Sequence, residues 1–159
     1  MEAATAVDQH QLHDCNKGVF FNVGRTTPFR QLGRIINYDY ARLNVGNGLD
    51  TTTGIFVAPV GGVYAFHFNG YYKDIPFTFA DHAEVNIYLN GSKLIGKTTK
   101  SQKYGSLPFS IVLNLVSCNS IAAVLRMDHI FDNQNMHTQF CGYLLKKEES
   151  TCCPSTIPE

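Results

Sequence analysis

The chain has 159 residues, 44% of them hydrophobic and 16% charged, and 13 basic residues balance 13 acidic ones. That size and balance suit one folded domain with a sizeable core and exclude a disordered chain. Electrical neutrality leaves no footprint for DNA or RNA, and no apolar run approaches the ~20 residues that a membrane-spanning helix needs, so neither nucleic-acid binding nor membrane insertion is expected.

In chain order, residues 1–17 read as a polar N-terminal tail. It has no basic stretch followed by an apolar core, so it is not a secretory leader. A protein that stays in the cell and one whose leader has been removed both remain open. Asn47-Gly48, Gly61-Gly62 and Asn90-Gly91 suit tight turns, because Asn and Gly tolerate positive φ. The stretch "TGIFVAP" (53–59) reads as a strand, and Pro59 ends it because proline cannot donate to a central ladder. "GGVYAFHF" begins the next strand, with Tyr64, Phe66 and Phe68 on one face and Val63, Ala65 and His67 on the other.

The same alternation continues. Val85, Ile87 and Leu89 share a face before the Asn90-Gly91 turn and "KLIG". Phe109, Ile111, Leu113 and Leu115 share another, as do Ile121, Ala123, Leu125 and Met127. No segment of useful length has a helical period. Many short strands joined by turns predict an all-β sandwich or jelly roll spanning residues 18–147, with a polar tail at 148–159. Phe56, Tyr64, Phe66 and Phe140 are the predicted core.

The stretch from Arg126 to Phe140 gathers Asp128, His129, Asp132, Asn133, Asn135 and His137. As an apical recognition loop, its carboxylates and amides would suit sugar hydroxyls or Ca²⁺, a hard cation that takes oxygen ligands. The same residue types suit a plain solvated turn. A zinc site is not expected: His129 and His137 are eight apart, and no C-x-x-C spacing occurs. No G-x-S-x-G elbow or other nucleophile context is present, and no enzymatic activity is expected. Asn90-Gly91-Ser92 is an N-glycosylation sequon if the chain is secreted. The five cysteines are Cys15, Cys118, Cys141, Cys152 and Cys153. With an odd number, at least one is free or pairs with another chain.

From Tyr38 to Phe68 the chain resembles the signature of the C1q globular head domain, within the C1q/tumour necrosis factor-like superfamily. Asn44, Leu49, Phe56, Gly62, Tyr64, Phe66 and Phe68 fall at that signature's offsets, with Tyr38 where a Phe is usual. "FCGYLL" (Phe140 to Leu145) is similar to the family's closing strand, with Cys141 in place of Ser. "LVSCNSIAAVL" matches the family's turn-and-strand loosely, Cys118 and Asn119 standing in the Gly-Asp places.

The resemblance covers roughly residues 18–147. It implies a two-sheet jelly roll of about ten strands, assembled as a homotrimer and free of a collagen stalk. It also implies a secreted recognition module of the innate-immune, lectin-like kind, binding glycans or microbial surface ligands. A cytokine-like ligand for a protein receptor and a leaderless cytoplasmic head are the alternatives. Some relatives hold calcium with acidic residues just before "SLPFSIVL", where this chain has Lys100-Ser101-Gln102-Lys103. No cofactor is therefore expected, and Ca²⁺ is the one ion the apical loop would suit. The closing strand would supply the three-fold seam, with Tyr143 on the face opposite Phe140 and Leu144. Because first and last strands are neighbours in such a fold, the resemblance also suggests that Cys15 bonds to Cys152 or Cys153, within a chain or between subunits. Free thiols are the alternative in a reducing compartment. Cys118, at a turn tip, and Cys141, within a strand, are the poorer candidates.

Overall fold

The computed structural model describes residues 18–74, 82–148 and 152–153. Among them are ten strands and no helix: β1 (Phe20–Arg25), β2 (Tyr40–Val45), β3 (Leu49–Asp50), β4 (Ile55–Val57), β5 (Gly62–Lys73), β6 (Ala83–Leu89), β7 (Lys93–Lys100), β8 (Tyr104–Leu115), β9 (Ser120–Met127) and β10 (Thr138–Lys147). They form two five-stranded antiparallel sheets, ordered β2-β1-β10-β5-β8 and β3-β4-β9-β6-β7. This is the two-sheet jelly roll that the family resemblance implies, and it agrees with the all-β pattern of alternation.

Phe56, Tyr64, Phe66 and Phe140 are at most 1% exposed and lie between the sheets. Phe21 joins them: its ring stacks on Phe56 at 5.2 Å and meets Phe140 edge-on at 5.0 Å, while Phe56 meets Phe66 edge-on at 5.2 Å. Phe56 comes from one sheet and Phe21, Phe66 and Phe140 from the other, so the aromatic cluster is what clamps the layers. Pro59 lies in the four-residue link between β4 and β5, which carries the chain from one sheet to the other. Pro108 sits inside β8, and that strand can accept a proline because it is the edge of its sheet. The opposite layer ends on β7, where Lys93 and Lys97 stand exposed and discourage further strand addition.

Three details depart from the sequence reading. The positive-φ pair between β2 and β3 is Gly46 and Asn47, one residue earlier than Asn47-Gly48. Gly48 serves a different need, since a Cβ there would come 2.6 Å from the Phe56 ring. Met127 is 40% exposed and does not continue the face of Ile121, Ala123 and Leu125. A bulge in the β6–β9 ladder, between Glu84 and Val85, shifts the register next to it.

The third departure concerns the cysteines. Cys153 is bonded to Cys118, with Cα atoms 5.1 Å apart, which overturns the Cys15–Cys153 pairing. Cys118 adopts φ 70 in the β8–β9 turn, and this places it beside the chain returning from β10. Cys153 is 7% exposed, so residues 148–159 are not a plain polar tail at that point. Cys152 is also disulfide-bonded, and Cys15, with the rest of residues 1–17, lies outside the described residues. Cys141 is free.

Candidate functional site

One end of the sandwich is built from the β1–β2 connection, the β3–β4 turn and the β9–β10 connection. Its organiser is Arg25 at the end of β1, 8% exposed. Nε donates to Thr27 O at 3.1 Å, and Nη1 donates to Asn37 O at 2.6 Å and Asn37 Oδ1 at 2.7 Å. Nη2 donates to Thr27 Oγ1 and Pro28 O, both at 3.2 Å. The guanidinium also lies 5.1 Å from the centroid of Phe29. Burial lowers the pKa of Arg25, and the charges of Asp39 and Asp132 oppose that shift. Asp39 in turn accepts from the Thr26 amide and hydroxyl at 3.0–3.1 Å. A planar fork thus ties a fourteen-residue loop (26–39) to one strand end.

The middle of that loop behaves as a strand. Gly33 donates to Leu125 O, Leu125 to Arg34 O, and Ile36 to Ala123 O, all at 2.8–3.1 Å. Residues 33–36 therefore continue the edge of β9 where β4 stops. Between this segment and the β3–β4 turn opens a surface pocket of about 520 Å³, lined by Phe29, Gln31, Arg34, Asn37, Thr52 and Thr53 among others. Its polar lining groups are hydroxyl, amide and guanidinium, beside apolar Phe29 and Ile35, and no lining residue is a carboxylate. Sequence reasoning passed over these residues. The available signal was "RTTPFRQLGR", with three arginines in ten residues, but only folding brings Arg34 to Thr52.

The apical loop singled out from sequence divides into two. Asp128 accepts from Tyr72 Oη at 2.9 Å and pairs with His129 Nδ1 at 2.5 Å. His129 and Asp132 are 3% and 2% exposed, and Asp132 Oδ2 accepts from the Thr138 amide at 3.1 Å. These three face inward and shape the β9–β10 connection. Asn133 and Asn135 stay exposed and bond to each other at 2.8 Å. His137 stacks on Tyr71 at 4.8 Å. The five residues proposed to contact a ligand are therefore not brought to one surface. Among the described residues, no group of three or more His, Cys, Asp or Glu side chains converges in a way that suits a metal ion.

Asn90 is exposed at the β6–β7 hairpin, with φ 52 followed by Gly91 at φ 73, the pair of positive φ values that a tight hairpin turn uses. Its Oδ1 accepts from the Ser120 amide at 2.9 Å.

The outer face of the β2-β1-β10-β5-β8 sheet carries Tyr143. Val45, Phe20, Tyr143, Ala65 and Val112 are successive cross-strand partners, so one row crosses all five strands. Phe20 is 42%, Val45 37% and Val112 60% exposed. The next row holds Asn22, Cys141, His67 and Ser110. His67 bonds through Nδ1 to Ser110 Oγ at 2.9 Å and through Nε2 to Tyr143 Oη at 3.3 Å, with the two rings stacked 5.8 Å apart. Burial pushes the Cys141 thiol pKa up, which keeps it protonated and unreactive.

Two aligned five-stranded sheets in this order define a jelly roll of the C1q/tumour necrosis factor type. Its solved relatives include the globular domain of the zebrafish complement 1qA protein, with TM-score 0.66 and 14% identity over 82% of this chain and 99% of that one. Murine APRIL aligns with TM-score 0.62 and 12% identity over 80% and 99%. Eiger TNF from S. frugiperda aligns with TM-score 0.64 and 15% identity over 85% and 97%.

The chain belongs to the C1q family: the model of the C1q domain matches residues 20–145. Domains of this kind are recognition or ligand domains rather than enzymes, and the proteins that carry them are typically secreted. Among the described residues, no helix is long and apolar enough to cross a membrane.

Proposed function

We propose that the chain is a secreted, homotrimeric recognition head that binds glycans or microbial surface ligands in innate immunity. The observation that carries the assembly is the row Val45–Phe20–Tyr143–Ala65–Val112, in which exposed Val45, Phe20 and Val112 flank half-buried Tyr143 and buried Ala65 on one sheet face. Exposed apolar side chains grouped on one face mark an interaction site, and permanent seams are large and apolar. The Cys118–Cys153 bond supports an oxidising compartment, where disulfides persist. Membership of the C1q family supports recognition as the role. In a secreted chain, Asn90 is an accessible glycan acceptor.

The test has two parts. Sedimentation at micromolar concentration should give three chains per particle, and a monomer would sink the assembly. A glycan and microbial-polysaccharide array, probed with and without Ca²⁺, should show saccharide binding. Equal signals under both conditions would remove calcium from the account. The second reading, a cytokine-like ligand, draws on the fold shared with APRIL and Eiger TNF. It would be favoured by an empty array together with capture of a cell-surface receptor.

A further inference from the structure

Apart from the apical loop and the sheet face, the described residues form a concave polar feature, the pocket between residues 29–37 and the β3–β4 turn. Its volume of about 520 Å³ lies within the ~300–1,000 Å³ of small-ligand pockets. It is set on rigid backbone. Residues 33–36 are bonded to β9, Tyr38 donates to Thr51 O at 2.9 Å, and Asp50 Oδ1 accepts from the Thr52 amide at 2.9 Å.

Its chemistry is one-sided. The Oδ1 of Asn37 is taken by Arg25 at 2.7 Å, which fixes the amide and leaves the Nδ2 hydrogens as donors. Arg34 is exposed and has no ion-pair or hydrogen-bond partner for its guanidinium among the described residues. Arg30, four residues before it, is also exposed but does not line the pocket. The carboxylates nearest in sequence, Asp39 and Asp50, are already committed to the amides of Thr26 and Thr52. A guanidinium fork facing hydroxyls and an amide donor is complementary to a ligand that presents one carboxylate among several hydroxyls.

We propose that this pocket is the saccharide site of the domain and that it selects acidic sugars, with Arg34 holding the sugar carboxylate. The proposal rests on the glycan-recognition reading above and names its ligand class. The pocket borders the β4–β9 sheet and not the apolar face of the other sheet, so trimer formation through that face leaves it open.

The probe is a matched pair, methyl glucuronide and methyl glucoside, identical except that one carries a carboxylate where the other has a hydroxymethyl group. Titrated into the whole protein and followed by amide NMR, the glucuronide should shift Gly33, Arg34, Ile35, Asn37, Thr52 and Thr53 in a saturable way. The glucoside should bind at least about tenfold more weakly, the worth of a charge-assisted hydrogen bond. Arg34→Gln, at an exposed position, should cost the glucuronide about tenfold and leave the glucoside unchanged. High salt should do the same, because the ion pair is partly exposed.

Equal binding of both sugars, insensitive to Arg34→Gln, would overturn the acidic selectivity while the glycan reading stood. Array hits retained in Arg34→Gln, with NMR shifts elsewhere on the surface, would overturn the site. No saccharide binding in either assay would overturn both readings together.

Discussion

Cys118 and Cys153 are joined across 35 residues, and each also donates its amide to the same short stretch: Cys118 to Ala58 O at 2.9 Å and Cys153 to Pro59 O at 2.8 Å. The disulfide therefore binds three segments at the base of the sandwich: the β4–β5 link, the β8–β9 turn and the chain after β10. Closing a loop of that length contributes about 4 kcal/mol in the chain-entropy account. The double substitution Cys118→Ser with Cys153→Ser should lower the denaturation midpoint in urea, with a slope that rises because the unfolded chain is no longer held compact by the cross-link. A loss below about 1 kcal/mol would mean that the contacts to Ala58 and Pro59 hold the segment without the bond.

Phe66 is completely buried and packs against Phe21, Phe56, Phe140 and Tyr64. Phe66→Ala empties a site that four rings line, and should cost about 3–5 kcal/mol in equilibrium unfolding. A value under about 1 kcal/mol would place Phe66 at the surface and the β5 register one residue off.

Tyr64 Oη donates to Val60 O at 2.6 Å in the same core. Burial pushes its phenol up to about 12, and ionisation would also break the bond it donates to Val60. The folded pKa lies above the unfolded value of about 10, so the folded state holds the proton more tightly. Its contribution to stability is complete below pH ~10 and is lost as pH rises toward about 12. Burial also raises the pKa of Tyr38, against the charge of Arg25. Stability should thus fall steeply above pH ~10. Tyr64→Phe should cost about 1–2 kcal/mol at neutral pH by stranding the Val60 carbonyl. The gap between this variant and the parent chain should then narrow in alkali. A constant gap across the titration would mean that the phenol does not resist ionisation.

Tyr143 sits at the centre of the apolar row, stacked on His67. Tyr143→Asp places a carboxylate where the proposed seam excludes water, and should yield a folded monomer at micromolar concentration. A trimer that survives the substitution, with an unchanged circular dichroism spectrum, would move the seam to another face.

Much of the fold was legible in the residues. Period-two alternation in 63–69, 85–89 and 109–115 identifies strands because side chains on a strand can only alternate. The fixed positions of Leu49, Phe56, Gly62, Tyr64, Phe66 and Phe68 are enough to name the family. Phe21 escaped notice because β1 is only six residues long and its alternation, Phe21 and Val23 inward with Asn22 between them, gives too short a run to read before Gly24.

The sites were not legible in the same way. Asp128, His129 and Asp132 look like surface ligands on composition alone, since a short polar run carries no sign of which side faces inward. Only the packing of Tyr72 and Thr138 against them turns them into the core. Cys118, at a turn tip, looked a poor disulfide candidate, and nothing in the local sequence joins Arg34 to Thr52. Local sequence determines which residues alternate and where the chain turns, because those depend on near neighbours. Whether two distant segments lie side by side depends on how the two sheets stack, and that is decided only when the aromatic core closes.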